Sequence, residues 1–219
     1  MRHQRLAIVV MLAACGSALA QVDPPPTWGQ NDGVSLSVGY AFPTDAFPPT
    51  PDFSVSWSGW GGDQWEKSDT IAYMPTLSTH VGAWGLTENN TSKNITGVLS
   101  VRLANGILLP EKGVWYQFDV FWGNDSNYWM TPTTERGFQI ENEWIDAPWD
   151  LGWGWWRITG TFTIKPQPPW EQFDFNFVTA PGGGPVAIDN FYVHTHCVPT
   201  PTTVALFSLA ALGIARRRR

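Results

Sequence analysis

Apolar and polar residues alternate along most of the chain after residue 53, with the period of two that predicts β-strands. In residues 155–165 (WWRITGTFTIK), the even-numbered positions are apolar apart from one glycine, so Trp156 is expected on the core-facing side. The same alternation recurs in residues 113–122 (GVWYQFDVFW) and 173–178 (FDFNFV), and residues 186–195 (VAIDNFYVHT) are predicted to form a closing strand. Because no stretch between the two ends of the chain has helical periodicity, the sequence predicts an all-β fold, an antiparallel sandwich of two sheets.

Two local signals set the expected boundaries of this sandwich. Residues 21–52 are rich in proline and predict a loop or spacer, with Val34–Val38 as the one candidate strand, so the β-sandwich domain is expected at residues 53–196. Asn105 and Gly106 stand between two apolar runs, and this pair predicts a tight hairpin in which the flanking strands are neighbours.

The N-terminus has the order of a secretory signal peptide. Two arginines precede an apolar run, and small residues lead to Ala20, which is the expected cleavage position of a signal peptide at residues 1–20. An alternative is a lipobox that would make Cys15 a lipidated N-terminus, and the sequence leaves both open. Either form of processing predicts an exported protein.

The C-terminal segment at residues 197–219 is a short apolar stretch followed by a basic cluster. Residues 204–215 are twelve apolar or small residues, fewer than the roughly 20 that a membrane-spanning helix needs. Four arginines follow, and the positive-inside rule would keep them in the cytoplasm during a transient insertion into the inner membrane. They are Arg216, Arg217, Arg218 and Arg219.

This layout resembles the PEP-CTERM sorting signal of Gram-negative bacteria, in which a short proline-containing motif precedes the apolar helix and the basic cluster. The motif here is Val198, Pro199, Thr200 and Pro201, with Thr200 where that family has glutamate. The resemblance implies processing by an exosortase-type enzyme and a final location at the cell surface, the outer membrane or the extracellular matrix.

The net charge between the two ends of the chain bears on which binding partners are expected. All 19 acidic residues lie between Asp23 and Asp189 together with only seven of the 13 basic residues, which gives this body seven positive against 19 negative charges, a net charge of −12. Binding to nucleic acid needs a basic surface, so no nucleic-acid partner is expected. A neutral polymer such as a polysaccharide suits the body better.

The last strands resemble the C-terminal half of galactose-binding-like jelly rolls, over about 80 residues from Val114 to Val193. The matching positions are Trp155, Arg157, Gly160, Phe162, Ile188 and Asp189. The resemblance implies a jelly-roll order of strands, and it implies a structural calcium ion at Asp189, where such modules often place one.

Tryptophan is abundant, with 14 in the chain, and several lie in a glycine- and proline-interrupted stretch at residues 143–156. An indole ring can stack on the apolar face of a sugar while polar neighbours bond its hydroxyl groups. Trp144, Trp149 and Trp153 are the candidate platform, with Asp146 and Asp150 as neighbours. The alternative is that these rings close the end of the sandwich.

An enzymatic alternative rests on Glu141, Glu143 and Asp146, whose spacing resembles the strand-borne acid cluster of jelly-roll glucanases. Retaining glycosidases need two carboxyl groups roughly 5 Å apart, and Glu141 and Glu143 would share one face of a regular strand. Asn142 is polar where those enzymes have an apolar residue, so we expect no catalytic residues. The sequence leaves three functions open: a structural surface protein, a carbohydrate-binding module and a glycosidase that uses Glu141 and Asp146.

Overall fold

A computed structural model describes residues 35–55, 62–105 and 110–198. The signal peptide, the start of the proline-rich segment, and the sorting tail from Pro199 onward lie outside the described residues. Within these ranges the chain forms strands, turns and loops, and no α-helix. Among the described residues, no helix combines the length and the apolar composition of a membrane-spanning segment.

The strands are numbered in chain order. They are β1 (Leu36–Tyr40), β2 (Phe53–Val55), β3 (Asp63–Lys67), β4 (Ala72–Met74), β5 (Ala83–Leu86), β6 (Ile95–Ala104), β7 (Glu111–Trp122), β8 (Ser126–Thr134), β9 (Gln139–Ile145), β10 (Trp149–Gly152), β11 (Trp155–Lys165), β12 (Trp170–Thr179) and β13 (Val186–Val198).

Two antiparallel sheets contain all of these strands, as the alternating pattern predicts. The nine-stranded sheet has the order β10-β11-β7-β13-β1-β2, with β9 also paired to β11, β5 to β13 and β4 to β5. The four-stranded sheet has the order β3-β6-β12-β8. The prediction of an all-β chain with two antiparallel sheets is therefore confirmed.

The core lies between the sheets and is rich in aromatic rings. The even-numbered residues of β7 and the odd-numbered phenylalanines of β12 point inward, and Phe118 meets Phe175 edge to face at a centroid distance of 5.1 Å. Trp156 of β11 is half-buried against this core and stacks on Trp122 at 5.5 Å. Apolar burial of this kind contributes about 1.5–3 kcal/mol for each large side chain.

The predicted hairpin at Asn105 and Gly106 is wrong. Strand β6 belongs to the four-stranded sheet and β7 to the nine-stranded sheet, so the connection crosses from one sheet to the other. Asn105 holds the start of this crossing, because its backbone amide donates to Pro169 O at 2.8 Å and its side-chain amide donates to Pro168 O at 2.9 Å.

The N-terminal boundary of the sandwich lies earlier than residue 53. Strand β1, which falls inside the proline-rich segment and two residues beyond the candidate strand start at Val34, pairs with both β2 and β13. Leu36, Val38 and Tyr40 are buried in the main core. At the other end, β13 continues to Val198, so the first residue of the sorting motif is still part of the sheet.

One buried ion pair joins the two sheets. Lys112 on β7 and Glu171 on β12 each expose 1% of the side chain, and Lys112 Nζ lies 2.6 and 2.7 Å from the two Glu171 carboxylate oxygens. Lys112 also donates to the Asn105 side-chain oxygen. These contacts satisfy a charge that would otherwise be costly to bury.

Candidate functional site

Two of the predicted tryptophans lie on the strands that pair with β11 on the side away from β7. Strand β9 pairs with one half of β11 and β10 with the other, so both lie along the same side of this strand. Trp144 stands opposite Thr161, and Trp149 stands opposite Arg157. Odd-numbered residues of β11 face away from the core, so both indoles lie on the outer face of the nine-stranded sheet. Their positions are four residues apart along β11, about 14 Å.

Trp153 lies in the turn between β10 and β11. The turn is tight: Gly152, Trp153 and Gly154 have φ of 83°, 57° and 87°. Only glycine adopts this left-handed region without cost, which explains why glycines flank the tryptophan. Ser78 Oγ donates to the Trp153 carbonyl oxygen at 3.0 Å and fastens the turn to the neighbouring loop.

Trp144, Trp149 and Trp153 form what we call the Trp edge. Their exposed fractions are 66%, 71% and 79%, so these rings do not close the end of the sandwich. Large apolar surface that is exposed to solvent in one region is typical of sites of interaction. Trp144 Nε1 donates to Asp146 Oδ1 at 3.0 Å, which holds this indole in place and brings the predicted acidic neighbour to it.

Asp150 does not join this face. It pairs with Trp156, whose side chain faces the core side, so Asp150 lies on the opposite face of β10 from Trp149. Its Oδ1 accepts a hydrogen bond from the Gly152 amide at 2.7 Å. Its observed role is in shaping the turn that presents Trp153.

The predicted pairing of Glu141 and Glu143 on one face is wrong. Asn142 has a φ of 53°, and a bulge there lets Glu141 pair with Thr163 while Trp144 pairs with Thr161. The extra residue breaks the alternation, so Glu143 no longer shares the face of Glu141. Glu141 lies 3.3 Å from Lys165 Nζ in an exposed ion pair, and it does not share a strand face with Glu143.

Asp189, the expected calcium ligand, has an imidazole as its partner. Its Oδ2 lies 2.8 Å from His80 Nδ1, and its Oδ1 accepts from the Asn190 amide at 2.7 Å. Desolvation by burial raises the pKa of Asp189 to about 6, although the hydrogen bond with His80 opposes the rise. Among the described residues, no group of three or more His, Cys, Asp or Glu side chains is placed to hold a metal ion.

A buried network surrounds Asp189. The His80 ring stacks on the fully buried Trp155 at a centroid distance of 3.8 Å. Asn190 Nδ2 donates to Asp119 Oδ2 at 2.9 Å, and Arg157 holds the same carboxylate through two hydrogen bonds of 2.8 and 3.1 Å. The residues that carry the resemblance to galactose-binding-like modules thus serve packing and charge pairing in this chain.

Comparisons with known proteins give little guidance. No family model matches the sequence, and no curated protein matches it. One solved structure that is similar to this chain is titled "Structure of TmCBM61 in complex with beta-1,4-galactotriose at 1.4 A resolution". Its identity is 9% and its TM-score 0.34, over 61% of this chain and 88% of that chain. A likeness this distant carries no argument, so the site rests on this chain's own geometry.

Proposed function

We propose that this chain is an exported, non-catalytic β-sandwich protein that binds a neutral polysaccharide through the Trp edge. The observation that carries the proposal is the exposure of three indoles, each at least 66% exposed, on β9, on β10 and in the turn that leads into β11. Each ring offers a flat apolar surface of the kind that stacks on a sugar ring. Asp146, held beside Trp144, supplies a polar group for hydroxyl groups.

The choice of a neutral polymer follows from charge. The body between Asp23 and Asp189 carries seven basic and 19 acidic residues, so a uronic or sulfated polymer would be repelled. The exposed tryptophans are also costly to leave in water without a ligand. Stacking on an uncharged sugar chain relieves that cost while the hydroxyl groups stay bonded to water or to the protein.

Affinity electrophoresis of the full chain in gels containing galactan, xylan, mannan or hydroxyethyl cellulose tests the proposal. We expect retarded migration with at least one neutral polymer. We expect the Trp144→Ala, Trp149→Ala, Trp153→Ala triple variant to lose about tenfold or more in affinity, the equivalent of 1.4 kcal/mol. Val81→Ala removes another side chain that is 69% exposed and serves as the matched control.

Two results would contradict binding at the Trp edge. One is the absence of retardation with every polymer, which would leave a structural role for the protein. The other is a triple variant that migrates as the wild-type chain does while its thermal unfolding is unchanged.

We further propose that the sandwich is a galactose-binding-like jelly roll and that the chain is cut after Ala20 and sorted through its PEP-CTERM-like tail. Support comes from the motif at Val198–Pro201 and the cluster at Arg216–Arg219 in the sequence. Deletion of the four arginines in the native host is expected to trap or mislocalise the protein. Mass spectrometry of mature wild-type protein should find no intact C-terminus, and recovery of that terminus would refute exosortase processing.

A further inference from the structure

The four-stranded sheet presents an ordered polar surface on the side away from the core. The odd-numbered residues of β12 are buried, so its even-numbered residues face outward beside those of β6. The pairing aligns them in rows across the sheet. One row joins Arg102, Gln172 and Thr133, and the next joins Ser100, Asp174 and Thr131.

The side chains of this surface are held in place by a continuous series of hydrogen bonds between neighbours. Arg102 Nε donates to Gln172 Oε1 at 3.0 Å, and Gln172 Nε2 donates to Asp174 Oδ1 at 2.7 Å. Asp174 also accepts from Ser100 Oγ at 2.6 Å and from Thr133 Oγ1 at 3.3 Å. These half-exposed groups are held in place before any ligand arrives, which lowers the entropic cost of binding.

Aromatic rings stand at both ends of this surface. Trp170 stacks under the guanidinium of Arg102 at 4.3 Å and borders a groove of about 210 Å³ between β3, β6 and the start of β12. Trp129 on β8 is 50% exposed and pairs with Asn176. Trp170 and Asn176 are six residues apart on one strand, so the two indoles are separated by about 20 Å along the sheet.

We propose that this surface, which we call the ladder face, is a second saccharide-binding site that takes one extended neutral oligosaccharide along β12. The sugar chain stacks on Trp170 and Trp129, and its hydroxyl groups bond Arg102, Gln172 and Asp174 between them. A hydroxyl group both donates and accepts, which matches a surface where donors and acceptors alternate. The Trp edge lies on the outer face of the other sheet, so neither site depends on the other.

The chemistry of the surface favours a neutral oligosaccharide over an apolar protein partner and over an anionic polymer. A polar ladder between the rings would be left desolvated and poorly paired under an apolar protein partner. The carboxylates of Glu66 and Asp174 lie in one row with Ser100, and they would repel an anionic polymer. A neutral chain that is several sugars long spans both rings without either penalty.

Hydroxyl-radical footprinting of the full chain with cellohexaose, xylohexaose, mannohexaose and β-1,4-galactohexaose tests this site separately from the Trp edge. We expect at least one hexasaccharide to protect Trp129 and Trp170 from oxidation, and this protection should persist in the variant that lacks the three edge tryptophans. Protection of the edge tryptophans alone would support the proposed function and overturn the ladder-face site. Protection of neither set would contradict both.

Isothermal titration of point variants supplies the second measurement. Trp129→Ala, at a half-exposed position that leaves the core intact, and Arg102→Met should each weaken the binding measured in the edge-deficient variant about tenfold or more. Thr96→Ala, at an exposed position beyond the rings on β6, is the matched control and should bind as its parent does. Unchanged affinity in both Trp129→Ala and Arg102→Met, with unchanged thermal unfolding, would refute the proposal.

Discussion

Replacing Glu171 by alanine should destabilise the whole sandwich, because it leaves Lys112 charged and unpaired between the two sheets. Both side chains are 1% exposed, and Lys112 Nζ contacts both carboxylate oxygens of Glu171 within 2.7 Å. The Asn105 side-chain oxygen is the one other acceptor of this ammonium group among the described contacts. A neutral amide oxygen cannot compensate the full charge once the carboxylate is gone.

The size of the effect follows from the burial. Removing one partner of a buried ion pair costs about 3–5 kcal/mol, because the remaining charge is stranded in a medium of low dielectric. For a domain of 150–250 residues, 1 kcal/mol shifts Tm by about 2–4 °C. Glu171→Ala should therefore lower Tm by about 6–20 °C, and Lys112→Met should have a similar effect.

The double variant distinguishes the free-energy cost of an unpaired buried charge from the cost of lost packing. Lys112→Met with Glu171→Leu removes both charges and keeps apolar volume, so its free energy of unfolding should lie close to that of wild type or above it. The matched control is Glu141→Ala, which breaks an exposed pair with Lys165 whose side chains are 39% and 41% exposed. That change should cost less than about 1 kcal/mol.

Urea unfolding followed by circular dichroism gives the free energy of unfolding of wild type and of the four variants. The reasoning fails if Glu171→Ala costs no more than Glu141→Ala, since that result would mean that water reaches Lys112. It also fails if the double variant is as unstable as the single ones, because packing and not charge would then dominate.

Three further predictions concern other parts of the molecule. The pKa of Asp189 is raised by burial to about 6, so the folded chain binds this proton more tightly than the unfolded chain does. The contribution of Asp189 to stability should therefore fall by about 2 kcal/mol as pH rises from 4 to 7, and urea titrations should show this slope in wild type but not in Asp189→Asn. Gly160→Ala would place a Cβ 2.3 Å from Tyr116 Oη and should cost about 1–3 kcal/mol, measurable by thermal unfolding, whereas a cost near zero would mean that the ring moves freely. If the Trp edge and the ladder face both bind, the wild-type chain should raise the viscosity of a dilute polysaccharide that it recognises, and loss of either surface should abolish the rise.

Much of the fold could be predicted from the sequence because the core is built from regular alternation. Most inward residues of β7, β11 and β12 are apolar and recur with the period of two, so the fold class and these faces are visible in the chain itself. The order of the strands, by contrast, could not be predicted from the alternation. Asn105 and Gly106 favour a local turn, but the tertiary contacts of Asn105 with Pro168, Pro169 and Lys112 send the chain to the other sheet instead.

The candidate sites likewise include features that could be predicted from the sequence and features that could not. The Trp edge could be predicted because its tryptophans cluster within ten residues and glycines interrupt them, which is incompatible with burying them all. The bulge at Asn142 could not, since it depends on a left-handed backbone conformation that the glucanase-like spacing does not encode. The ladder face could not be predicted from the sequence, because Trp129 and Trp170 are 41 positions apart and only the register of β8 against β12 brings them to one surface.

The two proposed surfaces lie on opposite sides of a sandwich whose sheets are tied together by Lys112 and Glu171. A single groove would suffice for a protein that only attaches itself to one polymer strand. Two outward faces, separated by a rigid core, suit a protein that holds two strands at a fixed spacing. Because the Trp edge and the ladder face share no residues, binding of one strand at each proposed surface would not compete with the other, which is the arrangement that a cross-linking protein requires.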